Sequence, residues 1–200
     1  MAVVAVTIPT LGASHLVDTL ASLPPGLPLY LRDNRKDNWG VAKSWNWGIR
    51  TALAEGADFV LVLNDDVRLE TPDFVERLQE DLTREGVIMV CGHPDHVAPQ
   101  SPDSRLAMSA FMCDGRLFSE IGEFDENFAP AYFEDSDMLH RIKISQHWRT
   151  YYDSDAVFHH WVSSTRNEIR GARQTGRDYK RNRERFFTKW GFYPDAHKKR

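Results

Sequence analysis

Cysteine is scarce: Cys91 and Cys113 are the only two in 200 residues. Two thiols cannot frame a disulfide-stapled fold or a four-thiolate zinc site. Long hydrophobic runs are missing too, with nothing near the roughly 18 apolar residues that a membrane-spanning helix needs. The start, MAVVAVTIPT, has no basic segment before its apolar run and meets Pro9 early, so no secretory signal is expected and a cytoplasmic location is. Neither G-x-x-x-x-G-K-[ST] nor G-x-G-x-x-G occurs, which removes the P-loop and the dinucleotide fingerprint. Internal repeats and low-complexity linkers are also absent, and the length suits one domain with a full core.

What is present begins with a balance of 42% hydrophobic and 27% charged residues, which excludes wholesale disorder. The net charge of -4 hides an asymmetry. From Thr165 onward there are 12 basic and 4 acidic residues, leaving 13 basic and 25 acidic before it. An acidic body suits divalent cations and a basic tail suits phosphates. The division expected is a body over 1–165 and a basic helical extension over 166–200 packed on it.

Val3–Ile8 is a continuous apolar run stopped by Pro9 and reads as a buried strand. Ser14 is placed to cap a helix carrying Leu16, Val17, Leu20 and Leu23. Leu27–Leu31 is a second strand, with Asp33-Asn34 past its end. Gly40 opens a helix to about Glu55, and Phe59–Leu63 is a third strand running into Asn64-Asp65-Asp66. Thr71-Pro72 starts a helix to about Glu85, and Val87–Cys91 is a fourth strand. This alternation predicts an α/β chain with a doubly wound, mostly parallel sheet and helices on both faces. Ligands of such sheets bind beyond the carboxyl ends of the strands, where Pro9-Thr10, Asp33-Asn34 and Asn64-Asp65-Asp66 all fall. Further on, Ala107–Cys113 is expected as a strand, Gly115–Ile121 as a short helix, Gly122–Tyr132 as a loop and Glu134–Ile144 as a helix. His147–Tyr152 reads as a short strand, Val157-Phe158 lead to His159-His160, and the tail from Arg166 to Trp190 reads as one or two basic helices.

Five constellations carry chemistry. Asp65 and Asp66 at a buried strand end repel each other unless a cation or hydrogen-bond donors compensate. Magnesium and manganese take one or two carboxylates together with substrate phosphates; the plainer reading is a turn, which Asn and Asp favour anyway. Glu134-Asp135-x-Asp137 sits where a helix N-terminus favours carboxylates, and Asp137 can pair with Arg141 one turn on. Its functional reading is a general base facing the crevice. His159-His160 offers an imidazole to complete an acidic metal site. Trp39, Trp45 and Trp47 flank Gly40 and either stack on a ligand or fill the core. The basic tail is either a solvated face or a phosphate contact.

In order and spacing, these pieces resemble the family 2 glycosyltransferases of the GT-A fold, particularly their rhamnosyltransferase-like members. The resemblance is carried by Ile8-Pro9-Thr10, by Asp33-Asn34, and by Asn38-x-Gly40-x-Ala42 leading to Asn46-x-Gly48-Ile49. It continues through Asn64-x-Asp66, Ile121-Gly122-x-Phe124-Asp125-Glu126, Glu134-Asp135-x-Asp137-x-x-x-Arg141 and Val157-Phe158-His159 before Ser163-Ser164. It implies a donor site of Pro9, Thr10, Asp33, Asn34, Gly40, Ala42, Asn46, Asn64 and Asp65. It implies a divalent metal, Mn²⁺ or Mg²⁺, on Asp66 and His159, with His160 as the alternative ligand. It implies Asp135 as the catalytic base, with Glu134 its neighbour.

The expected activity is a metal-dependent, inverting hexosyl transfer from a UDP-, GDP- or dTDP-linked sugar to an acceptor hydroxyl on a glycan, lipid-linked, protein or nucleic-acid acceptor. A nucleotidyltransferase acting on a sugar phosphate is the competing enzyme class. It usually needs a Gly-rich loop with a cation after the first strand, where this chain has Thr10-Leu11-Gly12-Ala13. A nucleic-acid-binding protein using the basic tail is the non-enzyme alternative, and the acidic body argues against it.

Overall fold

A computed structural model describes residues 2–96, 108–161 and 172–194. Ala107, Ser163-Ser164 and residues 166–171 of the expected tail helix lie outside the described residues. Seven strands form one sheet: β1 (Val4–Thr10), β2 (Leu29–Asp33), β3 (Phe59–Leu63), β4 (Val67–Leu69), β5 (Val87–Pro94), β6 (Ala110–Asp114) and β7 (Arg149–His160). The helices are α1 (Leu16–Ala21), α2 (Val41–Ala54), α3 (Phe74–Leu82), α4 (Leu117–Glu120), α5 (Glu134–Ser145) and α6 (Ala172–Trp190), with a 3-10 turn at Glu126–Phe128.

The strand order is β2-β1-β3-β6-β5-β7-β4. β1 runs parallel to β2 and β3, and β5 runs parallel to β7. β6 is antiparallel to both β3 and β5, so five strands share one direction while β6 and the edge strand β4 oppose it. The sheet is therefore mostly parallel and flanked by helices, as the alternation of elements predicts.

Alternation along the strands divides the core between the two faces. Val60, Val62, Met89 and Cys91 pack with Trp45, Ile49 and Ala52 of α2 and with Met138 and Ile142 of α5. Leu61, Leu63 and Val90 pack with Phe74, Val75, Leu78 and Leu82 of α3, and Leu16 and Leu20 of α1 join that side. Gly48 lets α2 lie directly on β1, since a Cβ there would sit 1.8 Å from Thr7 Oγ1.

Three local expectations change. α1 begins after His15, which takes the N-cap place expected for Ser14. α3 starts at Phe74; Thr71 is tied instead to β7, donating to the Asp155 carbonyl (2.9 Å) and accepting from Val157 N–H (2.9 Å). The short strand at His147–Tyr152 and the apolar pair Val157-Phe158 belong to one 12-residue strand. Asp153, between those two segments, binds the amides of Asp155 and Ala156 and the guanidinium of Arg77, which carries the strand across a polar stretch. The three-residue β4 was too short to leave a periodic signal.

Candidate active site

Strand direction gathers the polar strand ends on one edge. Thr10, Asp33 and Asn64 follow or close β1, β2 and β3 at their carboxyl ends, and Asp95 and His160 mark the same ends of β5 and β7. α5 descends from that edge, because β7 after it starts at Arg149 opposite Val87, the first residue of β5. Glu134 and Asp135, in the first turn of α5, therefore stand at the edge that bears Asp65 and Asp66.

Asp65 ties β1 to β3. Its Oδ2 accepts from Thr10 Oγ1 (2.6 Å) and from Leu11 N–H (3.2 Å). Asp66 is nearly buried, and His160 Nε2 lies 3.2 Å from its Oδ1. The antiparallel pairing of Val67 with His160 brings them together, while Ser109 Oγ lies 3.4 Å from the other ring nitrogen. His159 turns the opposite way, as neighbours on a strand must. Its Nδ1 lies 2.6 Å from Asp95 Oδ2. The doubled histidine thus resolves geometrically: His160, not His159, meets Asp66. Strand parity carried that signal, since His160 shares its side with buried Ala156 and Phe158.

Among the described residues, no three His, Cys, Asp or Glu side chains cluster as a metal site. The Asp66–His160 pair supplies one carboxylate and one imidazole. That set fits a divalent cation that takes its remaining oxygens from water and a substrate diphosphate.

Glu134 is buried, and its Oε2 has no hydrogen-bond partner among the described residues. Burial, and then the charge of Asp135, push its carboxyl well above the usual range. Asp135 is half-buried and is also pushed up by burial, although bonds from Ser136 N–H (2.6 Å) and Ser136 Oγ–H (3.2 Å) to its Oδ1 pull the other way. Two adjacent carboxyls, both pushed up by burial, thus stand at the start of α5.

The rest of the expected donor set is held by contacts within the protein. Asp33 is gripped by Arg35 and held down at about 2 by its side-chain and backbone bonds. Asn34 donates to Ser44 Oγ (2.9 Å), and Gly40, with φ of 82°, lets α2 start against Pro130. Pro9 pairs with Arg32 across β1 and β2, Asn64 N–H donates to the Ser109 carbonyl, and Ala42 is in the core. Asn46 faces protein: its amide donates to the Phe124 carbonyl (2.9 Å) and accepts from Phe124 N–H (2.9 Å). Of the tryptophans, Trp45 is core, edge-on to Phe111 and Phe124, while Trp39 carries the Arg32 guanidinium 3.6 Å above its ring.

Asp137 is fully buried and joins α5 to α6. It accepts from Arg141 Nε (2.9 Å) and Trp190 Nε1 (2.8 Å), and Lys189 Nζ lies 2.7 Å away. The i,i+4 spacing pointed to Arg141, but nothing in the sequence pointed to α6. No described helix is long and apolar enough to cross a membrane.

Residues 27–147 match the family model described as Glycosyl transferase family 2. No curated protein sequence matches. Among solved structures, the mannosyltransferase PcManGT from Pyrobaculum calidifontis, in complex with GDP-Man and Mn²⁺, aligns with a TM-score of 0.59 at 14% identity, over 80% of this chain and 56% of that one. Glucosyl-3-phosphoglycerate synthase from Mycobacterium tuberculosis, in complex with Mn²⁺, UDP and phosphoglyceric acid, gives 0.57 at 15% identity over 88% and 77%. A197 from STIV gives 0.53 at 16% identity over 81% and 87%.

Proposed function

The chain belongs to glycosyl transferase family 2, and from that premise we propose that it moves a hexosyl group from a nucleoside diphosphate sugar to an acceptor hydroxyl, inverting the anomeric centre. The observation that carries this reading is the sharing of one sheet edge by the Asp66–His160 pair and the adjacent carboxyls Glu134 and Asp135. The nucleotide and Mn²⁺ in two neighbours of the same fold support the donor class.

In this reading, Thr10, Leu11 and Asp65 form the floor beneath the donor, and Asp33 and Asn34 border its nucleoside. Asp66 and His160 would hold a divalent cation, and its charge would offset that of the diphosphate leaving group. Asp135 takes the acceptor's proton as the hydroxyl attacks from the face opposite the leaving group. Ser136 fixes the carboxylate through Oδ1. Glu134 stands beside it, its carboxyl pushed up by burial and by the charge of Asp135. One base suffices, because no covalent glycosyl-enzyme forms. The narrower rhamnosyltransferase-like reading rests on Asn64 in place of the first Asp of a D-x-D motif.

Asp135→Asn should cut transfer about 10²-fold or more while leaving nucleotide binding nearly intact. Asp66→Ala should weaken donor binding and remove any dependence on Mn²⁺ or Mg²⁺. Normal turnover by Asp135→Asn overturns the base assignment, and full wild-type activity in excess chelator overturns the metal role.

A further inference from the structure

The basic tail is the largest feature that the proposed reaction leaves unused. Residues 172–194 of the described chain carry seven Lys and Arg against Asp178 and Glu184. Several of those cations are committed inside the molecule. Arg181 donates to the Ala129 carbonyl (2.7 Å), Arg185 to the Asn127 carbonyl, and Lys189 to Asp125 and Asp137 (both 2.7 Å). All of these partners lie in or just beside the segment that delivers Glu134 and Asp135.

Asn182 sits at the centre of this contact. It is fully buried, where an amide is costly unless it is hydrogen-bonded. Its Nδ2 donates to the carbonyls of Phe128 (2.5 Å) and Ala131 (2.8 Å), with those of Ala129 and Tyr132 at 3.4 Å. Tyr132 and Phe133 both adopt left-handed backbone, with φ of 81° and 74°. Bulky residues stay in that region only where their surroundings impose it. Here Tyr179 packs 5.6 Å from the Tyr132 ring and 5.1 Å from the Phe133 ring, and Phe186 packs 6.0 Å from Phe133. Tyr179, Asn182, Phe186, Lys189 and Trp190 follow helical spacing and form one face.

We propose that α6 is a clamp that fixes the backbone of residues 127–133, and that Asn182 is the positioning residue that sets where Asp135 stands. The clamp rests on the reading of Asp135 as the base, but its backbone effect can be measured without it.

The test uses the full chain with Asn182→Leu, which keeps the volume and removes the donors. Amides of residues 128–137 should exchange hydrogen at least tenfold faster than in the parent protein, while those of β1 and β3 stay unchanged. The second readout is slow hydrolysis of UDP-glucose, UDP-N-acetylglucosamine and GDP-mannose with Mn²⁺, following release of nucleoside diphosphate. For the donor that turns over fastest, kcat should fall about 10- to 100-fold, with KM within twofold, because a misplaced base loses rate and not donor affinity. Arg177→Ala, whose guanidinium bonds the Gln174 side chain, should change neither readout. If Asn182→Leu does not fold, Lys189→Met is judged by the same measurements. Parental exchange rates in a folded variant overturn the clamp, and faster exchange with unchanged kcat overturns the positioning role. Full turnover by Asp135→Asn would instead sink the base assignment and leave the exchange result standing.

Discussion

Asp137→Asn removes the charge that joins α5 to α6, and its cost can be worked from the contacts. The parent carboxylate has no exposed surface and meets Arg141 at 2.9 Å and Lys189 at 2.7 Å, besides the Trp190 indole at 2.8 Å. Removing one partner of a buried pair costs about 3–5 kcal/mol, because the other charge is left stranded. Two features bring the figure to the low end. Arg141 keeps the carbonyls of Ile121 (2.9 Å) and Glu123 (2.8 Å), and Lys189, a third exposed, keeps Asp125. A loss of about 3 kcal/mol lowers the melting temperature of a chain this size by about 6–12 °C. Thermal melts followed by circular dichroism, with urea titrations to check an unchanged slope, measure it. Asp155→Asn, at an exposed ion pair, serves as the near-silent control. A drop below about 2 °C for Asp137→Asn refutes the view that this carboxylate anchors α6.

Three further outcomes are expected. His160→Ala should remove the Mn²⁺-dependent part of the melting-temperature rise given by a nucleoside diphosphate, whereas His159→Ala should keep it; equal loss in both contradicts the Asp66–His160 pair. Glu134 holds its proton above the ordinary glutamate range when folded and releases it in that range when unfolded. Stability is therefore full below that range and falls as pH rises toward the folded value, and Glu134→Gln should flatten the fall in pH-dependent urea titrations. As the proposed base, Asp135 would act ionised, and burial pushes it up, so the acid limb of kcat/KM should lie above the ordinary aspartate range. An acid limb at about 3.9 or lower would contradict that.

Much of the fold was legible because the parallel strands are continuous apolar runs. Phe59–Leu63 is a strand over those same residues, and its polar successors fall at the carboxyl edge. β4 and the bridging of β7 were not legible, because one is three residues long and the other crosses Asp153–Asp155 on bonds to Arg77 and backbone amides. Within the candidate site, residue types and order marked Asp65, Asp66, Glu134 and Asp135, but spacing cannot show which partner a side chain meets. Asn46 carries the motif and binds Phe124, and Asp137 looks like an exposed first-turn carboxylate yet is sealed by a helix some 50 residues downstream. The tail's charge was visible, and its engagement with carbonyls is a matter of three dimensions alone.

The most direct test is a crystal structure of the full chain with a nucleoside diphosphate and Mn²⁺, using anomalous scattering to locate the metal. The expected result is a manganese peak on Asp66 and His160, the diphosphate over the ends of β1 and β3, and Asp135 opening into the same crevice. A nucleotide bound elsewhere, or manganese on His159 and Asp95, would contradict it.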